Sequence, residues 1–272
     1  MDERNTLTVS GFYSQERIKD YGDQPFFNGD FSESLRLWQF LEDEVLTAAM
    51  FSTSFEHKFS QPGHKLNASI NYTFDREDEK YFFTNNTPSF STEESFFLIA
   101  DQKVLDVTLD YSKPLKNGML ETGLKFRSRS IPTDMQFNPS VTNSVLDTGA
   151  DGKAKYTEII PAAYVNYTYE TEKLEAEAGL RMEYVNLEYQ VDPNHNTYQS
   201  DGYNYFQPFP NARVTYKINP KNRLSAFFNR RVDRPDEVDI RIFPKYDDAE
   251  IIKVGNPALT PVSIYGNANS VS

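Results

Sequence analysis

Two stretches, Leu174 to Tyr189 and Asn211 to Arg231, alternate apolar and charged side chains with a period of two. In the first, Leu174, Ala176, Ala178, Leu180, Met182 and Tyr184 share one parity. Glu175, Glu177, Gly179, Arg181 and Glu183 share the other. Successive side chains of a strand point to opposite faces, so this spacing predicts one apolar and one charged face. A helix would mix the two sets. Ala212, Val214, Tyr216 and Ile218 repeat the pattern against Arg213, Thr215 and Lys217.

Composition narrows the setting of such strands. The 272 residues are 38% hydrophobic and 14% aromatic, enough for ordered structure. Mean hydropathy is −0.64 and no apolar run approaches the roughly 20 residues of a spanning helix. A membrane strand needs only about 9–11 residues, half of them polar, and escapes a hydropathy scan. Cysteine is absent, which removes disulfides and thiolate metal sites. The net charge of −12 argues against a nucleic-acid partner, which needs clustered Lys and Arg. The start, Met1-Asp2-Glu3-Arg4, carries no apolar segment of a signal peptide.

The alternation recurs along the chain. It runs from Leu7 to Tyr13, Ala49 to Phe59, Leu66 to Phe74, Leu105 to Tyr111, Leu120 to Phe126, Ala163 to Tyr169 and Leu224 to Phe228. Short turns are expected near 61–63, 113–118, 170–173 and 219–222. Long polar loops are expected near 14–45, 75–97, 132–155, 191–205 and 232–261. The end, 262–272, is expected to be irregular. Short turns then share one sheet edge and long loops the other, as periplasmic turns and extracellular loops do in transmembrane barrels. Aromatics stand near both edges: Phe59, Tyr111, Tyr167 and Tyr216 by the turns, and Tyr72, Phe74, Phe126 and Tyr184 by the loops. That fits two interfacial girdles. A soluble antiparallel sheet with one wet face also alternates, but its strands usually run about 5–6 residues.

Arg230-Arg231-Val232-Asp233-Arg234-Pro235 and Gly255-Asn256-Pro257-Ala258-Leu259-Thr260-Pro261 resemble two segments of the outer-membrane β-barrel domain of TonB-dependent receptors, in the form common in Bacteroidetes-type bacteria. His57-Lys58-Phe59 with Gly63-His64-Lys65-Leu66 is similar to a turn of that family. Glu121-Thr122-Gly123-Leu124-Lys125, Ala162-Ala163-Tyr164 and Ala178 to Glu183 are similar to its strands. The resemblance implies an all-β antiparallel meander of long transmembrane strands, a partial barrel domain over 1–261. The full barrel would hold about 22 strands, a size with a plugged lumen. It also implies a bacterial outer-membrane location, contact with lipid, and a plug domain and TonB complex in the intact receptor. The expected ligand is a nutrient such as a siderophore, glycan or peptide. About nine barrel strands are expected here, so the resemblance implies an internal piece of a receptor.

Glu121, Lys125, Arg127, Arg129, Arg181, Glu183, Arg213 and Lys217 are expected to face the lumen. They form either a wall touching plug or substrate, or a solvated face of cross-strand pairs worth about 0.2–1 kcal/mol each. Arg230, Arg231 and Arg234 could fork onto a carboxylate of plug or ligand, or order the loop that follows. Gly255-Asn256-Pro257 is expected to be a turn in which Gly and Asn accept positive φ. Tyr198, Tyr203, Tyr205 and Phe206 could stack on a sugar or siderophore. His57, His64 and His195 show no metal spacing. No catalytic, cofactor or metal site is expected, and no P-loop, dinucleotide or nucleophile-elbow motif occurs. The other functions weighed are a soluble one-sided β-sheet that binds glycans through an aromatic face, and a barrel lipase.

Overall fold

A computed structural model describes residues 3–142, 144–259 and 262–271. Among the described residues ten strands follow one another: β1 (Asn5–Phe27), β2 (Ser34–Lys58), β3 (Lys65–Asn86), β4 (Ser91–Leu115), β5 (Gly118–Asn138), β6 (Gly152–Glu170), β7 (Leu174–Val191), β8 (Asp201–Asn219), β9 (Asn222–Asp233) and β10 (Val262–Val271). Each pairs antiparallel with the next, giving a single meander sheet in sequence order. A four-residue helix, α1 (Glu237–Ile240), lies between β9 and β10.

At one edge, the turn end, connections are tight. Gly63 takes φ 80° and His64 N donates to Gln61 O at 3.0 Å. The turn between β6 and β7 closes with Thr171 N donating to Leu174 O. His64 stacks on Phe59 and reaches the Tyr111 hydroxyl at 2.9 Å, so the first turn is braced against β4.

At the other edge, the loop end, the structure corrects the expectation. The polar stretches over 14–45 and 75–97 are mostly strand, joined by turns over 28–33 and 87–90. The stretches 132–155 and 191–205 likewise keep loops only at 139–151 and 192–200. The reason is a change of parity within each strand. On β3, Ile70, Tyr72 and Phe74 lie on one face, whereas Tyr81 and Phe83 lie on the other and are buried. A reading that follows one parity sees Asp75 to Thr84 as polar and loses the strand. The end expected to be irregular, 262–272, contains β10, which pairs with β9 from Val262 to Val271. An antiparallel ladder is made by backbone, so a small-residue segment joins when its neighbour offers a full edge.

The sheet therefore has two unlike faces. One is bare. Over the half nearest the turns it presents Leu109, Leu180 and Val214, exposed by 42%, 41% and 48%. The other is covered by the loops at its far end. There Trp38, Tyr81, Phe96, Leu98, Met135, Phe137, Tyr156 and Leu187 form the core with Ile240, Ile242, Phe243 and Tyr246 from the long connection after β9. The change of parity falls near Phe74, Phe126, Pro161 and Tyr184 on their strands. Beside Phe74 the bare face turns charged: Arg76 and Lys103 stand 5.8 and 6.0 Å from its ring centre.

Candidate functional site

Register places Arg129 of β5 directly opposite Glu158 of β6 on the covered face. Arg181 and Glu183 of β7 lie on the same face, two residues apart in one parity. The chain leaves β9 at Asp233 and brings Arg234 down onto them. Arg234 Nη2 donates to Glu183 Oε2 at 2.5 Å, and Arg234 Nε stands 3.7 Å from Glu158 Oε1. Arg129 Nε lies 3.3 Å from Glu158 Oε2, and Arg129 Nη1 reaches Pro235 O at 3.4 Å. Arg181 Nε holds the other Glu183 oxygen at 2.6 Å. Both carboxylates are buried, Glu158 at 2% and Glu183 at 5% exposure. Removing one partner of such a buried pair leaves a stranded charge and costs about 3–5 kcal/mol.

The connection after Pro235 lies across the covered face. Asp236 N donates to Asp239 Oδ2 at 2.9 Å at the start of α1. Arg241 Nη2 then meets Glu77 at 2.7 Å and Glu237 at 2.6 Å. Lys245 Nζ meets Glu79 at 2.7 Å and lies 3.6 Å from Glu42. Arg36 Nη1 reaches Glu250 at 2.6 Å, and the Tyr81 hydroxyl donates to Asp247 O at 3.0 Å. Between these polar fastenings sit Ile240, Ile242 and Phe243, all nearly inaccessible. These groups lie beyond the apolar band. Burial pushes Glu79 up to about 8, with Lys245 pulling against the rise and Glu42 adding to it. Burial works to discharge Arg241, but Glu237 and Glu77 more than offset it and raise the guanidinium above its usual value.

Gly255 closes the connection on itself. Its N–H donates to Arg241 O at 2.8 Å, and a Cβ there would meet Arg241 O at 2.6 Å and Val238 O at 2.7 Å. The expected reason for this glycine was positive φ; the observed one is close approach of two backbones. Asn256 Oδ1 accepts from Ala258 N at 2.9 Å, and Pro257 lies in that turn. Pro261, the last residue of the motif, lies outside the described residues.

Five of the expected residues, Arg129, Arg181, Glu183, Arg234 and Pro235, thus meet in one network. The others do not join it. Lys125 and Arg127 share Asp106, at 3.3 and 3.2 Å. Arg213 pairs with Glu177 at 3.1 Å and Lys217 with Glu175 at 2.5 Å. Glu121 shares their face without entering a cluster. Arg230 donates to Pro208 O at 3.0 Å and lies over the Phe209 and Tyr265 rings; Arg231 is exposed opposite Ile264. Sequence reasoning missed Glu158, Glu77, Glu79, Arg241 and Lys245. The signal for the three glutamates was the second parity, where Glu77, Glu79, Tyr81 and Phe83 share a face on β3; Arg241 and Lys245 lie in the connection after β9 and carried no such signal. The tyrosines are structural in part: Tyr203 donates to Leu259 O at 3.0 Å and Tyr198 packs edge-on against Phe243.

Between the docked connection and β1–β4 remains a space of about 360 Å³, lined by Ser14, Glu16, Asp75, Gln102 and Glu237. Glu77 and Arg76 line it too, and its Glu77 and Glu237 carboxylates are held by Arg241. A site of this kind binds and orients; among the described residues there is no group of His, Asp and Glu placed to hold a metal ion.

A sequence profile described as the outer membrane protein beta-barrel family matches residues 57–266. No curated protein sequence matches. Among solved structures, copper transporter OprC superposes over all of this chain and 47% of its own, at 12% identity and a TM-score of 0.53. The alcaligin outer membrane receptor FauA from Bordetella pertussis matches over all of this chain and 48% of its own, at 14% identity and TM-score 0.42. Ferric citrate transporter FecA, in the unliganded form, matches over 85% of this chain and 37% of its own, at 10% identity and TM-score 0.47. The chain spans about half the length of these structures or less.

Proposed function

The chain belongs to the outer membrane protein beta-barrel family, and from that premise we propose that it forms part of the barrel of a TonB-dependent receptor that admits a nutrient across the bacterial outer membrane. The bare apolar face meets lipid. The covered face lines the lumen, and the connection from Arg234 to Leu259 is an extracellular loop folded inward over it. The observation that carries this reading is the docked loop: a charged wall in the turn half, with a latched lid above its loop half. A plain structural sheet needs no lid fastened by buried ion pairs.

Strand length supports the same reading. β4 holds 25 residues, about 80 Å at roughly 3.3 Å per residue. Crossing the membrane takes about 9–11. The bare band from Leu174 to Tyr184 matches that length, and the remainder of each strand stands in water above it. Lumen charges such as Arg213–Glu177 and Lys217–Glu175 would meet plug or solvent. The nutrient is a siderophore, glycan or peptide, and in the intact receptor a plug domain and the TonB complex act with the barrel. The role is transport, not catalysis.

Fractionation and uptake test this. The intact receptor should stay in the detergent-insoluble outer membrane, and its deletion should abolish uptake of one nutrient class from a mixed medium. A monodisperse soluble protein without detergent, or unchanged uptake of every class, would overturn the proposal.

A further inference from the structure

Every short turn at the turn end carries lysine. Lys58 and Lys65 flank the first, Lys113 and Lys116 stand in the second, Lys173 in the third and Lys221 in the fourth. Only the third also holds carboxylates, Glu170 and Glu172. The connections of the loop end, over 28–33, 87–90, 139–151 and 192–200, contain no Lys or Arg. They carry Asp30, Glu33, Asp147, Asp151 and Asp192 instead. In a chain of net charge −12, the turn end is basic against the average. The transport reading uses charge inside the lumen and leaves these lysines without a task.

The lysines differ in what they meet. Lys58 and Lys65 lie 3.3 and 3.8 Å from Glu56 of the covered face. Lys113 and Lys116 are exposed and meet no carboxylate among the described residues. Lys113 shares its parity with Leu105, Val107, Leu109 and Tyr111, so it continues the lipid-facing row of β4. Leu120 of β5 stands opposite it. The first two turns are packed as one piece beneath it. Gln61 Nε2 donates to Pro114 O at 3.3 Å, and a Cβ on Gly63 would meet Pro114 Cγ at 3.2 Å.

Height selects the partner. Lys113 lies two residues beyond Tyr111, about 5 Å along the membrane normal at roughly 3.3 Å per residue and a tilt of about 45°. The headgroup layer occupies about 5–8 Å on each side of the hydrocarbon. The ammonium therefore stands at the depth of lipid phosphates, with its stem in line with the apolar row. A soluble periplasmic anion would meet the turn tips and not this row. Two cations with no carboxylate between them favour a headgroup of net negative charge. A zwitterionic headgroup brings its own cation, which they repel.

We propose that the second turn binds an anionic phospholipid of the inner leaflet, with the phosphate on Lys113 and Lys116 and an acyl chain along Leu109, Tyr111 and Leu120. The proposal rests on the reading that the bare face meets lipid and the turns face the periplasm.

The test places the intact receptor in nanodiscs holding equal amounts of phosphatidylglycerol and phosphatidylcholine with matched acyl chains. Native mass spectrometry counts the lipids it retains. Phosphatidylglycerol should exceed phosphatidylcholine by about fivefold or more. Lys113→Gln with Lys116→Gln should bring the ratio to about one. Lys113→Arg with Lys116→Arg should preserve it, because positive charge is what binds. Lys153→Gln with Lys155→Gln, at the loop end, should leave it unchanged. Equal retention of both lipids by the unaltered receptor would overturn the assignment, as would a preference that survives the loss of Lys113 and Lys116. Free glycerol phosphate or soluble peptidoglycan fragments that displace the retained lipid at matched concentration would overturn it too, by moving the site to a soluble anion or to the cell wall. A receptor that does not enter the nanodiscs refutes the membrane reading itself, a result distinct from an inserted receptor with no lipid preference.

Discussion

On β7, Leu180 and Tyr184 stand exposed on the bare face, while Leu187 and Tyr189 are buried on the covered one. The two halves of the strand obey opposite rules. Near the turns, apolar groups point away from the loops and charges line the covered face. Near the loops, apolar groups sit under a second layer and charges such as Arg17–Asp43 occupy the bare face. The difference teaches that apolar groups follow the medium, not the sheet. A half surrounded by lipid turns apolar groups out; a half surrounded by water turns them in. The long strands β2 to β7 cross both media, and each switches parity once.

The largest effect should come from breaking the latch in the watery half. Glu158→Ala strands Arg129 and leaves Arg234 only its Glu183 pair, so the loop's docking should weaken by about 3–5 kcal/mol. Limited proteolysis between residues 236 and 259 would read this as rapid cleavage. Next, Leu180→Arg places a charge inside the band and should cost about 2–4 kcal/mol of barrel stability. Glu188→Arg, on the same strand and face but in the watery half, should stay within about 0.5 kcal/mol. Denaturant titration in vesicles compares them; equal costs would erase the distinction between halves.

A pH series gives a subtler contrast. Burial raises Glu79 to about 8 in the docked state, above the ordinary carboxylate value. The docked loop therefore binds this proton more tightly than the released one, and its stability falls as pH rises from about 5 through 8. After correction for the base-catalysed intrinsic rate, hydrogen-exchange protection at residues 240–247 should fall over that window, and Glu79→Gln should flatten the dependence. Protection at Leu180 and its neighbours should not follow it. The smallest effect belongs to the bare-face pair Arg17–Asp43, where Asp43 is held down to about 2 by the Arg17 hydrogen bonds. Arg17→Gln should leave the denaturation midpoint unchanged, because exposed pairs contribute little.

Much of the lipid half was legible in the sequence. Period-two runs such as Leu174 to Tyr184 name both the strand and its face, because nothing but lipid touches the apolar set. The watery half was not legible in the same way. Its apolar residues, Tyr81, Phe83, Leu187 and Tyr189, alternate on the opposite parity, and their partners lie in a loop far along the chain. The Arg234 motif could be named from the sequence, and ordering of its loop was one of its two readings. Its partners could not, since Glu158 and Glu183 acquire meaning only when register brings them under that loop.

The parity switch is open to direct measurement, because the chain has no cysteine of its own. Single cysteines at Ile70, Tyr72, Asp78 and Lys80 sample the bare face of β3 on either side of Phe74. In the intact receptor in outer membranes, a water-soluble maleimide should label the last two and spare the first two. Spin labels at Ile70 and Tyr72 should meet lipid-soluble oxygen instead. Uniform labelling of all four positions, or protection that continues unbroken through Lys80, would contradict the account.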